Sequence, residues 1–106
     1  MENRKVVLIG LSKPNMSHRI RITKFVIDQH AVPVYPGIVE DWYKIRSLKT
    51  ELENDMDELL KRVDELWIFG AVTGDMKNTI SLAKRLGKNV RYFDLDTFKE
   101  YTDIKR

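Results

Sequence analysis

Cysteine is absent from all 106 residues. Its absence removes disulfides, thiolate metal sites and thiol nucleophiles together. Histidine occurs only at His18 and His30, and no metal-ligand spacing links the two. Long apolar runs are missing as well. Val6-Val7-Leu8-Ile9 is among the longest, far short of the roughly 20 residues that span a bilayer. The stretch Met1-Glu2-Asn3-Arg4-Lys5 leads into it without the apolar region of a signal peptide. These absences predict a soluble cytoplasmic domain with no membrane partner, no metal and no cofactor. Neither charge sign dominates. Lys plus Arg is 19 against 16 for Asp plus Glu, a net +3 that admits an anionic ligand without demanding nucleic acid. Hydrophobic residues at 42% and charged residues at 33% lie far from a disordered composition, and the length suits one domain over 1–106.

What is present is regular. Lys5-Val6-Val7-Leu8-Ile9-Gly10 reads as a strand buried on both faces and closed by glycine. A helix follows from about Asn15 to Gln29, with Met16, Ile20, Thr23 and Ile27 at helical spacing and Asn15 or Ser17 as cap. Ala31-Val32-Pro33-Val34-Tyr35 is a second strand, and Pro33 assigns it to an edge. After Pro36-Gly37 a loop runs to about Arg46 and carries Glu40, Asp41, Trp42 and Tyr43. Leu48, Leu52, Met56, Leu59, Leu60 and Val63 form the apolar stripe of a second helix. Strand three is Asp64 to Gly70, where Asp64 and Glu65, like Asp57, read as solvated helix-end charges. Thr73-Gly74-Asp75 opens a third helix with Met76, Ile80, Ala83 and Leu86 inward and Gly87 just past its end. Strand four is Asn89 to Asp94, and the tail from Leu95 suggests a helical turn.

This βαβαβαβ order predicts a flavodoxin-like, three-layer α/β/α fold. Its parallel sheet has four or five strands in the order 2-1-3-4, joined by right-handed crossovers. Ligands of such sheets bind beyond the carboxyl ends of the strands, where the loops after strands one and three diverge. Gly10 and Gly70 leave no side chain at those exits, and Ser12 and Thr73 add hydroxyls. The first turn of the third helix offers free amides to a phosphate or carboxylate. The plainer reading of Gly10, Gly70 and Gly74 as ordinary turns stands beside this one, because no dinucleotide or P-loop glycine motif is present.

Asp55 shares a helix face with Leu52 and Leu59, so it is paired, raised in pKa, or set at a pocket rim. Trp42 and Tyr43 beside Glu40 and Asp41 suit either a base-stacking wall or a subunit contact. His18, with Arg19 and Arg21 in a helix's first turn, reads as surface, or as positive charge for a bound phosphate. Lys84, Arg85, Lys88 and Arg91 read as a solvated basic face at the end of the third helix.

Asn54-Asp55-Met56-Asp57-Glu58-Leu59-Leu60-Lys61-Arg62-Val63-Asp64-Glu65-Leu66-Trp67-Ile68-Phe69-Gly70, then Gly74-Asp75-Met76-Lys77, then Ile80 through Lys88, resembles the nucleoside 2-deoxyribosyltransferase-like superfamily, above all its small bacterial and phage members. The first strand, its helix and Val32-Pro33-Val34-Tyr35-Pro36 fit the same pattern. The resemblance implies a flavodoxin-like homodimer or larger oligomer that binds a nucleoside or nucleotide. Active members cleave the N-glycosidic bond through a glutamate nucleophile. By position, Asp55 matches the aspartate that places or protonates the leaving base. The Gly10–Asn15 loop matches the segment closing over sugar or phosphate, and Gly74 the glycine opening the third helix.

Gly10, Ser12, Asn15 and Tyr35 are the ligand contacts expected from the first half of the chain. Gly70, Thr73, Gly74, Met76 and Thr79 are those expected from the second. Thr79 stands where the family has its nucleophilic glutamate, beside the uncharged Asn78, and the family's early tyrosine is missing from Ile9-Gly10-Leu11-Ser12. Threonine forms no glycosyl ester without an activating base. The first expectation is therefore a nucleoside- or nucleotide-binding domain. An active N-glycosidase or deoxyribosyltransferase using Asp55 and a non-standard nucleophile, with Asp75 as the nearest carboxylate, is the second. A protein-interaction module using the Glu40–Tyr43 loop and the basic face near Arg91 is the third. Direct nucleic-acid binding, resting on net charge alone, is the least expected.

Overall fold

The structure, a computed structural model, describes residues 3–35 and 57–102. Strand β1 (Lys5–Gly10) is followed by a 3-10 turn (Lys13–His18) and helix α1 (Arg19–Asp28). Strand β2 (Ala31–Val34) comes next, then helical residues 57–62 (α2) and strand β3 (Glu65–Phe69). Helix α3 (Gly74–Arg85), strand β4 (Asn89–Phe93) and strand β5 (Glu100–Tyr101) complete the order. The five strands form one sheet in the order β2-β1-β3-β4-β5, parallel except for β5. This is the flavodoxin-like α/β arrangement that the alternation of elements predicts.

Side chains alternate across each strand, so one run of β-branched and aromatic residues feeds two cores. Val7, Ile9, Trp67, Phe69 and Phe93 pack with Ile22 and Val26 of α1 on one face. Leu8, Leu66, Ile68 and Tyr92 pack with Leu60 of α2 and Met76, Ile80 and Ala83 of α3 on the other. Strand β3 lies between β1 and β4, and all five of its residues are buried. Strand β2 pairs only with β1, placing Pro33 opposite Val7 at an edge where a missing amide donor is tolerated.

Four expectations are corrected. In α1 the inward residues are Ile22 and Val26, while Ile20 is 78% exposed and Ile27 is also exposed. The helix carries two apolar stripes, and the inward one adds Phe25, whose ring meets Phe69, Phe93 and Phe98. Each large apolar side chain buried is worth about 1.5–3 kcal/mol, so the richer stripe sets the helix phase. The cap also differs. Asn15 and Ser17 lie inside the 3-10 turn, and His18 stands at the N-cap of α1 without a side-chain bond to the helix's first amides.

In α3, Met76, Ile80 and Ala83 are inward as expected, but Leu86 is exposed beyond the helix end. The neighbouring Gly87, with φ +75°, supplies the left-handed C′ residue. After β4 the chain turns back through residues 95–97 into the short antiparallel β5. The Asp94 carboxylate directs that turn by accepting the amides of Asp96 and Thr97, both at 2.9 Å.

Candidate functional site

Chain exits at the carboxyl edge diverge between β1 and β3. From β1 the chain leads to α1 on one face, and from β3 to α3 on the other. The two loops meet through one side chain. Asn15 Nδ2 donates to Ser12 Oγ at 2.9 Å, and its amide donates to the Ser12 carbonyl at 3.0 Å. The same Nδ2 would lie 3.3 Å from a Cβ added at Gly70. Gly70 has φ +86° and donates its amide to the Phe93 carbonyl at 3.1 Å.

The glycines are therefore covered rather than open. A Cβ at Gly10 would stand 2.5 Å from Ile68 Cδ1 and 3.6 Å from Met76 Cε. Hydrocarbon from β3 and α3 fills the space that the missing side chain leaves. Met76 is a wall of this edge: its Sδ accepts the Thr73 amide at 3.4 Å, and its side chain is buried. Gly70 is covered in turn by Asn15 and Leu95.

Open ground lies at the start of α3. Thr73, with extended backbone, is the N-cap, and the Lys77 amide makes the first helical bond to the Thr73 carbonyl at 3.2 Å. Of the amides before it, that of Met76 turns back to the Thr73 side chain in a capping box, which leaves those of Gly74 and Asp75 with no acceptor within the helix at the positive end of its dipole. No heavy atom lies within 4 Å of a Cβ placed on Gly74. Thr73 and Thr79 are half-buried on this helix, and Asp75 belongs to its first turn. The structure thus gathers Ser12, Asn15, Gly70, Thr73 and Gly74 at one edge.

Tyr35 is used elsewhere. Its hydroxyl lies 2.8 Å from Thr23 Oγ1 and 3.0 Å from the Arg19 carbonyl, fastening the end of β2 to α1. Burial pushes its pKa up, against smaller opposing effects of Thr23 and Arg19. The Arg21 guanidinium is also committed. It donates to His18 Nδ1 at 3.0 Å and to the Asp96 carbonyl at 3.3 Å, and lies 4.8 Å from the Phe98 ring centre. Asp55 and the Glu40-Asp41-Trp42-Tyr43 loop lie outside the described residues. Among the described residues no three His, Asp or Glu side chains gather as metal ligands, and no helix is long and apolar enough to cross a membrane.

No family model matches this chain, and no curated protein matches its sequence.

Sequence reasoning missed the one buried charged residue among those described. Glu65, expected to be solvated, is 4% exposed. Lys5 Nζ donates to its Oε2 at 2.9 Å, Trp67 Nε1 to Oε1 at 2.8 Å, and Asn89 Nδ2 to Oε2 at 3.4 Å. Burial pushes the carboxyl up, but these bonds and the Lys5 charge outweigh it and hold the carboxyl below its usual range. The network ties β1, β3 and β4 at the sheet's amino edge, opposite the ligand edge. The missed signal was alternation: Glu65 shares one face of β3 with the apolar Trp67 and Phe69.

Arg91 departs from the expected solvated basic face too. Its guanidinium lies 4.7 Å over Trp67 and 5.2 Å over Phe93, and makes two bonds to Glu100 at 2.8 and 2.7 Å. Those bonds raise the Arg91 pKa and lower that of Glu100.

Proposed function

We propose that this chain binds a phosphorylated nucleoside at the carboxyl edge of its sheet, between the loops after β1 and β3. The carrying observation is the open first turn of α3. The unbonded Gly74 and Asp75 amides and an unobstructed Gly74 stand beside the loop whose Asn15 approaches Gly70. The phosphate sits on the Gly74 and Asp75 amides beside the capping Thr73, and the Ser12–Asn15 loop faces the sugar. Gly10 and Gly70 act as packing positions at this edge.

The resemblance of residues 54–88 to nucleoside 2-deoxyribosyltransferases supports the nucleoside part of this reading, and assigns Asp55 to the sugar or base edge. It also carries assembly as a homodimer or larger oligomer. Thr79 at the nucleophile position supports binding without glycosidic cleavage by the family's route.

Thermal unfolding with deoxynucleosides and their 5′-monophosphates tests the reading. A ligand at about 100 times its Kd stabilises by about 2.7 kcal/mol, a shift easily read for a domain of this size. The monophosphate of one base is expected to raise Tm well above its parent nucleoside, with no free base released on prolonged incubation. Equal shifts for both forms would remove the phosphate from α3. Steady base release would replace binding with catalysis.

A further inference from the structure

Inward packing of Met76, Ile80 and Ala83 fixes which side of α3 faces outward. That outer side carries Lys77, Asn78, Ser81, Lys84 and Arg85, all exposed. Lys77, Ser81 and Lys84 recur at four- and three-residue spacing, and Asn78 and Arg85 run beside them. From Met76 to Phe93 the chain has no acidic residue and five basic ones.

Several cations elsewhere on the surface are paired. Lys5, Lys24, Lys61, Arg62 and Arg91 each hold a carboxylate within 4 Å. Lys88 donates to the Lys61 carbonyl at 3.1 Å, where a cation complements the end of α2. Lys77 and Arg85 pair with no carboxylate among the described residues. Eight residues of helix separate them, or about 12 Å at 1.5 Å per residue.

We infer that the outer face of α3 docks the phosphate backbone of duplex nucleic acid. Its composition decides among polyanions. An acidic protein partner needs a central apolar or aromatic anchor, and this face has only lysine, arginine, asparagine and serine. An anionic membrane surface holds each basic side chain by only about 1 kcal/mol, and the apolar side chains of α3 that could add insertion are consumed by the core. Single strands need aromatic platforms, and this face has none. Lysine and arginine interleaved with small hydroxyl and amide donors is the set that contacts phosphate oxygens without reading bases. This surface is separate from the crevice of the proposed nucleotide site, so either can fail without the other.

The test is fluorescence anisotropy of the full chain with a labelled, mixed-sequence duplex of about 20 base pairs. Neutralising two phosphates by Lys77 and Arg85 predicts about 12-fold loss of affinity between about 50 and 200 mM salt. The double variant Lys77→Glu/Arg85→Glu is expected to lose at least about tenfold at the lower salt, with Tm lowered by no more than about 8 °C by the anion in the last turn of α3. The charge-matched Lys24→Glu/Lys99→Glu variant is expected to stay within about threefold of the parent. Poly-glutamate and phosphatidylserine vesicles serve as competitors and are expected to displace the duplex poorly. Overturning results are no duplex binding at about 50 mM salt, equal losses in both double variants, or competition by either polyanion as strong as by unlabelled duplex.

Discussion

Glu65 and Trp67 stand two residues apart on β3, and the indole Nε1 of Trp67 donates to Glu65 Oε1 at 2.8 Å. The bond couples a buried carboxylate to a buried ring, and neither has water as a substitute partner. Removing the carboxylate by Glu65→Ala strands the indole N–H inside the core, while Lys5, 59% exposed, turns to solvent. The expected cost is about 1–3 kcal/mol. Urea unfolding reads it as a lower midpoint at unchanged m.

The same carboxyl gives a pH dependence of definite sign. Held low in the folded chain, Glu65 contributes stability that is complete above the unfolded glutamate range and is lost as pH falls through its folded value. Asp94, lowered by the Thr97 and Asp96 amides, and Glu100, lowered by Arg91, act in the same direction. Stability is therefore expected to be flat at neutral pH and to decline below the usual carboxylate range. Glu65→Gln should flatten part of that acid limb in a Tm-against-pH series. An unchanged limb would place the proton uptake on other groups.

Gly10 is demanded by its neighbour. Gly10→Ala sets a Cβ 2.5 Å from Ile68 Cδ1, and overpacking of this kind costs about 1–3 kcal/mol. Ile68→Val removes the clashing methyl, so the double variant Gly10→Ala/Ile68→Val should be more stable than the sum of the single effects. A double-mutant cycle measures the coupling. Strict additivity would show that the backbone moves instead of the side chain.

Phe98 holds φ +59°, a left-handed conformation that a bulky residue adopts only under packing. Its ring lies 4.8 Å from that of Phe25 and 5.8 Å from that of Phe69, with Arg21 above it. Truncation loses those contacts in either variant, but glycine also releases the backbone. Phe98→Gly should therefore be more stable than Phe98→Ala by up to about 1 kcal/mol, the reverse of the order in ordinary helix or strand positions. Paired denaturation curves settle the order.

Gly74→Asp probes the proposed ligand edge. The added side chain meets no atom within 4 Å, and a carboxylate in the first helical turn adds about 0.3–1 kcal/mol through the dipole. The variant should be slightly more stable than the parent and lose the monophosphate-dependent rise in Tm. A retained rise would move the anion off α3.

The order of strands and helices, the edge position of β2 at Pro33, and the C′ glycine at position 87 were legible in residue order. Each is a local signal: a β-branched run, a missing amide donor, a residue free to take positive φ. The phase of α1 was not legible, because Ile20/Ile27 and Ile22/Val26 are both plausible stripes. Only contact with Phe69, Phe93 and Phe98 selects between them. At the ligand edge, Thr73 and Gly74 could be nominated from sequence. The filling of Gly10 by Ile68 and Met76 could not, since those atoms come from elements 58 and 66 residues further along the chain.

Alternating hydrophobicity and turn residues were enough to specify a parallel α/β sheet, since those patterns act within a few residues. The burial of Glu65, the cation of Arg91 laid over Trp67 and the covering of two glycines required the assembled strands. Each depends on which side chains are brought together across the sheet. That proximity is a property of three-dimensional packing, and no local spacing encodes it.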